Sequence, residues 1–435
     1  MPRSRSRVDW RNGPAGVERR RVGRTHTIAL VIPSPLHARF EQEVLTQAER
    51  LRTAVASAAR PGATETSPLQ PAMAWMPYGP DAADACVEMA ADLGAPAAEY
   101  SAIRRGVGVM DGFTRGTLRV RGADRASFLQ RMVTQDLKDL KQGEARESFW
   151  LNRKGRVQAD LLLADFGDAM LLDVDRFAAA SSAGELQAFV FSEDVQVEDA
   201  TAVFARMSLH GAAALVMLGT IDAKAAALSS DLRCVALQVA GHPVHAARRD
   251  QAGVPGVELF MPTEVVARVF DALLAAGSAL EAPVRPIGWH AFNVARVEGG
   301  TPLFLVDFGR EALPHETGLL SRRVSFKKGC YLGQEVVARM ESLGKPKQRL
   351  VALRMESDRL PVSGATVHLE AAEGEAVGTI TSSAPAPMLG SACVAFAMLK
   401  CAQGEPGTRV RVAAEGDWTT ALVQPTLRFL PGGAA

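Results

Sequence analysis

Residues 328–335 run Lys328-Gly329-Cys330-Tyr331-Leu332-Gly333-Gln334-Glu335, and the assignment of the fold turns on them. Two glycines four residues apart let the chain turn tightly and bring backbone N–H groups close to a bound group. Lys328 stands two positions from the Cys330 thiol, and a nearby ammonium favours thiolate over thiol. Exposed, Cys330 would be nucleophilic or redox-active; buried, it would be one more small apolar core residue. The other cysteines, Cys86, Cys234, Cys393 and Cys401, lie in apolar surroundings such as Ala392-Cys393-Val394-Ala395-Phe396, which suits the core. No C-x-x-C pair and no Cys/His set at zinc spacing occurs, so no metal site is expected, and an odd total of five cysteines argues for a reducing compartment.

Moving outward, the segments 147–151 and 156–164 flank Asn152-Arg153-Lys154-Gly155, a hairpin turn in which Gly155 supplies the left-handed position. On the second strand Val157, Ala159, Leu161 and Leu163 share one face, which offers Asp160 to the opposite one, away from the main core. Ahead of the hairpin, 117–121 alternates as a strand, and Asp124 can cap a helix whose Phe128, Leu129 and Met132 share a face. Helices over 176–191, 212–228 and 263–276 alternate with strands near 171–174, 205–209, 235–239, 244–248 and 257–261, giving an α+β middle. After residue 347 only short strands follow, punctuated by Gly364, Gly374, Gly390 and Gly407, which indicates a small β-barrel or sandwich.

The chain of 435 residues, 47% hydrophobic and 22% charged, can fill several cores. Lys plus Arg number 49 against 48 Asp plus Glu, so no global field draws in nucleic acid or anionic lipid, and any anion must be met by a local cluster. The apolar run Ile28-Ala29-Leu30-Val31-Ile32 stops at Pro33, well short of the roughly 20 residues of a membrane span. Arg3, Arg5, Arg7, Arg11, Arg19, Arg20, Arg21 and Arg24 crowd the start against only Asp9 and Glu18. Residues 1–75 are therefore expected to be a disordered basic extension, an upstream mis-start with the true one at Met73 or Met76, or an organelle transit peptide. One helix is expected there, over 37–56. The expected location is the cytoplasm, or the mitochondrial matrix if the start is a transit peptide.

The octapeptide 328–335 resembles the signature of the YgfZ family, which includes mitochondrial iron–sulfur assembly relatives. Phe128-Leu129-Gln130, Thr134-Gln135-Asp136, Lys154-Gly155-Arg156, Pro286-Ile287-Gly288-Trp289, Arg296-Val297-Glu298-Gly299-Gly300 and Pro314-His315-Glu316-Thr317-Gly318 resemble, in order, landmarks of the glycine-cleavage T-protein superfamily that contains it. The likeness covers about 95–430. It implies an α+β, three-domain T-protein-like architecture around a central cavity: an antiparallel α+β folate-binding domain over 95–200 and 285–345, a ferredoxin-like domain over 200–285, and a C-terminal β-barrel over 346–435. It implies as ligand tetrahydrofolate or a derivative, as partners iron–sulfur proteins or their assembly machinery, with neither direct DNA binding nor membrane, and a connection to tRNA modification. The implied role is that of an accessory protein in assembly or repair of iron–sulfur enzymes, with Cys330 the required thiol.

The superfamily places a glutamate in an Arg-x-Glu context against the pterin, whose ring N–H and amine suit one carboxylate, and Glu298 matches it. Lys328, Gly329, Tyr331, Gly333, Gln334 and Glu335 are expected to line the folate site, with Arg339, or Arg322, Arg323 or Lys327, meeting the folate's anionic tail. Two departures bear on activity. Aminomethyltransferases of the superfamily carry two adjacent acids on the hairpin strand, whereas here Asp160 remains and Ala159 takes the other place; they also show an acid where Cys330 stands. Aminomethyl transfer to tetrahydrofolate is thus the alternative function, with Asp160 the carboxylate that would polarise a folate nitrogen.

Overall fold

A computed structural model of the chain describes residues 20–21, 28–58, 73–80, 85–370 and 376–431. The hairpin forms one side of a five-stranded antiparallel sheet, in the order Gln196–Asp199, Arg115–Arg121, Met170–Asp175, Val157–Asp165 and Ala145–Leu151. Alternation along Val157–Asp165 works as read: Val157, Ala159, Leu161 and Leu163 join Phe128, Leu129, Ala178 and Leu186 of two covering helices in one core. The opposite face of this sheet carries charge.

A second sheet of six strands runs Cys234–Val239, His242–Arg248, Gly256–Pro262, Phe204–His210, Val107–Asp111 and Val284–Ile287. It takes Val107–Asp111 from the segment expected in the first domain and pairs it in parallel with Val284–Ile287. The helices Ala214–Ile221 and Val266–Gly277 cover it, packing Met217, Leu218, Val269 and Phe270 against Leu209 and Leu259. Beyond 347 six strands close into the expected barrel, from Gln348–Met355 to Asp417–Val423. Among the described residues no helix is long and apolar enough to cross a membrane.

The expectation of a disordered start is corrected for the part that is described. Ile28–Ile32 pairs in parallel with Ala85–Asp92, which Ala74–Tyr78 flanks antiparallel, and the helix His37–Ala58 follows. Leu36, Phe40, Val44 and Ala48 recur every fourth residue, so they fall on one helical face, and all four are buried. Phe40 meets Phe270 at 5.3 Å and Trp75 at 6.2 Å. The arginine-rich residues 1–19 lie outside the described residues.

Candidate functional site

Five of the strands place a buried charge at the phase that points between the sheets: Glu147, Asp160 and Asp173 from the first sheet, Arg206 and Glu258 from the second. Arg249 follows the strand His242–Arg248, Arg323 ends the helical turn Leu320–Arg323, and both are buried with them. Arg323 donates to Asp160 Oδ1 at 2.7 Å and also to Glu147 Oε2. Arg249 donates to Glu147 Oε1 at 2.7 Å and to Asp173 Oδ2 at 3.0 Å, and its Nη2 lies 3.7 Å from Asp160 Oδ2. Arg206 bridges Asp173 Oδ1 at 2.6 Å and Glu258 Oε2 at 2.9 Å, while Arg115 reaches Asp173 from the sheet edge. With half-exposed Arg322 also 2.8 Å from Glu147 Oε2, four carboxylates meet five guanidiniums, which is how a charged layer survives burial.

The electrostatics follow the pairing. Burial pushes the Glu147 carboxyl up, but the guanidiniums of Arg323, Arg249 and Arg322 overcome that and hold it at about 2. Asp173, equally desolvated, is held well below the usual carboxylate range by Arg115 and Arg206. Glu258 goes the other way, raised by burial and by Asp173 beside it. Its Oε1 faces the Gln251 side-chain amide, 3.3 Å away, rather than a guanidinium.

The signature forms a surface turn leading into the helix Gln334–Leu343. Gly333 adopts φ +80°, and a Cβ there would come within 2.6 Å of Asn152 O and 3.2 Å of Gly155 Cα. Gly155, at φ +70°, would in turn strike Val336. The hairpin turn and the signature are therefore interlocked through two positions that accept no side chain. Cys330 is exposed, whereas Cys234 and Cys393 are buried and Cys86 and Cys401 half-buried. Cys234 is pushed up to about 12, by burial first.

Lys328 does not serve the thiol as the sequence suggested. Its Nζ donates to the carbonyls of Gln130 at 2.6 Å, Val133 at 2.6 Å and Gln135 at 2.9 Å, the residues that end the helix Arg125–Met132 and follow it. Burial brings its ammonium down to about 8. Tyr331 is buried in the first-sheet core. Within the signature Gly329, Cys330 and Glu335 are exposed and Leu332, Gly333 and Gln334 half-buried, and Arg339 on the helix that follows is exposed.

Glu298 is also placed differently from its expected role. It is fully buried at the end of the helix Trp289–Gly299, where Oε2 accepts from Tyr100 Oη and Arg104 Nη2, both at 2.5 Å, and Oε1 accepts from Met388 N at 3.1 Å. Both oxygens are taken in tying that helix to Pro96–Arg105 and to the barrel, so none faces a ligand. The neighbouring Arg296 pairs with Asp307 instead. Sequence reading missed Glu147, Asp173, Arg206, Arg249 and Glu258; the signal was a charge inside an otherwise apolar strand, as in Gly-Val-Glu-Leu-Phe-Met-Pro, or two aspartates in alternation, as in Met-Leu-Leu-Asp-Val-Asp.

Comparison with known proteins agrees with this architecture. Residues 84–328 match the GCVT N-terminal domain, and residues 348–429 match the glycine cleavage T-protein C-terminal barrel domain. An aminomethyltransferase of Saccharopolyspora erythraea is 31% identical over 74% of this chain and 86% of its own length. That of Geobacillus kaustophilus is 29% identical over 75% and 88%. The crystal structure of glycine cleavage system aminomethyltransferase T from Bartonella henselae superposes with a TM-score of 0.68 over 79% of this chain and 92% of that one, at 22% identity. Residues 329–347, which carry Cys330, fall between the two matched domains.

Proposed function

Because the chain belongs to the glycine cleavage T-protein family, joining a GCVT N-terminal domain to that family's barrel, we propose that it binds tetrahydrofolate or a derivative and serves the assembly or repair of iron–sulfur enzymes through Cys330. The observation that carries this reading is a contrast between two groups. Asp160, the acid remaining on the hairpin strand, is buried with both oxygens accepting from Arg323, so reaching a folate nitrogen would require breaking that pair. Cys330 is open to solvent on a turn that Gly155 and Gly333 hold in place.

The polar layer suits a pterin in its chemistry. Two parallel N–H donors need one carboxylate, and Glu258 Oε1 is met only by the Gln251 side-chain amide, which a ligand can displace, whereas both Glu298 oxygens are held by Arg104, Tyr100 and the Met388 N–H. Glu258 is therefore the proposed pterin acceptor, and exposed Arg339 remains the candidate for the folate's anionic tail. A reduced pterin, when bound, supplies nucleophilic ring nitrogens and reducing equivalents. Cys330 engages a thiol, sulfur or cluster of the client, and a cluster would take its remaining ligands from elsewhere, since one thiolate cannot hold it.

Isothermal titration with tetrahydrofolate should give saturable heat for the wild type and for Cys330→Ala, with affinity at least about tenfold weaker in Glu258→Gln. In a strain lacking the homologous factor, Cys330→Ala should fail to restore iron–sulfur enzyme activity; full rescue by that variant would end the proposal. The names of the relatives favour a second reading, aminomethyl transfer. Turnover with a lipoylated carrier protein that survives Cys330→Ala would put it in first place.

A further inference from the structure

Cations without partners gather around the exposed thiol. Arg153 and Lys154 form the tip of the hairpin turn, which Gly155 seats against Val336 of the signature helix. Arg156 donates to the Glu311 carbonyl and Val157 N to that of Ala312 at 3.0 Å, which brings Arg310 beside the same turn. Lys327 opens the signature from the other side. All four side chains are exposed, and none forms an ion pair or side-chain hydrogen bond with a described residue. The acids nearby are exposed Glu335; Glu311, already 4.0 Å from Arg156; Glu341, taken by His315 at 3.2 Å; and Asp136, which accepts from Gln130 Nε2 and Lys138 N. Phe326 adds an apolar element, 46% exposed.

The chain as a whole is nearly neutral, at +1, so this excess is a local arrangement and not a reflection of a basic protein. Like charges held together repel, and they are stabilised by an anion that meets them from outside. Resting on the function proposed above, we infer that this face docks an acidic surface of a client protein, delivering the client's sulfur or metal centre to Cys330. An apolar contact at Phe326 inside a rim of unpaired cations has the layout of a protein interface. Single-stranded nucleic acid wants a longer basic track and several stacking aromatics, and here one exposed ring, facing His315 at 6.3 Å, is all the patch offers. Because hairpin and helix interlock, the surface is formed before the partner arrives.

The test follows labelling of Cys330 in the full chain by 5,5′-dithiobis(2-nitrobenzoate), read at that residue by peptide mass mapping. The thiolate attacks one sulfur of the reagent, giving a mixed disulfide and releasing one thionitrobenzoate, the thiol proton passing to buffer. An excess of an iron–sulfur ferredoxin of net negative charge should slow labelling about fivefold or more at low salt, and the effect should vanish near about 0.5 M salt. Arg153→Glu/Lys154→Glu/Arg310→Glu, folded by circular dichroism, should lose the protection, and a twenty-nucleotide uridine oligomer should not provide it. No protection by ferredoxin, equal protection of the triple variant, or stronger protection by the RNA each overturns the inference. Tetrahydrofolate titration is independent of this readout, so intact folate binding with no protection strikes the docking face alone.

Discussion

A carboxylate with no exposed surface must have its charge and lone pairs answered inside the protein, and Glu298 has them answered by Arg104, Tyr100 and the Met388 N–H. Truncation to alanine would leave Arg104, itself 8% exposed, as a buried cation without its partner. Glu298→Ala should accordingly lose about 3–5 kcal/mol of stability, seen as a lower urea midpoint at unchanged slope. A variant as stable as wild type that merely binds folate less well would return Glu298 to the ligand role. The Arg-x-Glu context was legible in the sequence, but its partners were not, because Arg104 and Tyr100 stand 194 and 198 residues away. Lys328 repeats the lesson: its neighbour along the chain is Cys330, whereas its partners in space are carbonyls 193 to 198 residues distant.

At the scale of elements, local pattern carried further. Strand alternation over 157–163, the glycine-punctuated barrel and the helix expected over 37–56, observed as His37–Ala58, all follow from spacing that a short window contains. What the window hid was the attachment of that helix, since the arginine-rich composition before it dominated the reading. The four-residue recurrence of Leu36, Phe40, Val44 and Ala48 was the available sign of a buried face. Phe40 is fully buried against Trp75 and Phe270, so Phe40→Ala opens a cavity and should cost about 3–4 kcal/mol. Chemical denaturation measures it, and limited trypsin digestion should begin to cut within 37–58. Unchanged stability and protease resistance would mean that the helix contributes nothing to the core it covers.

Across the whole molecule, the two sheets meet through a charged layer that lies beside a small apolar cluster of Leu162 and Leu171 against Ala247 and Phe260. Each of the four acids breaks the pattern of its own strand, but the matching of Glu147 with Arg249 and Arg323, 102 and 176 residues on, is set by how the domains face one another. Unfolding therefore couples to proton uptake. Glu147, ordinarily near 4.5, sits at about 2 in the folded protein because Arg323, Arg249 and Arg322 outweigh its desolvation. A carboxyl depressed on folding contributes stability that is complete above its ordinary value and is lost as pH falls from about 4.5 through about 2. Asp173, depressed by the same kind of neighbours, acts in the same direction. Wild-type unfolding free energy should thus fall steeply below pH 4.5. Glu147→Gln should be less stable at pH 7 by about 3 kcal/mol and show a visibly shallower acid limb, because the group that took up the proton is gone. Urea melts of both proteins at intervals from pH 7 to pH 2 decide the matter: parallel curves would mean that the layer does not couple folding to this carboxyl, and a convergence of the two curves at low pH is the expected outcome.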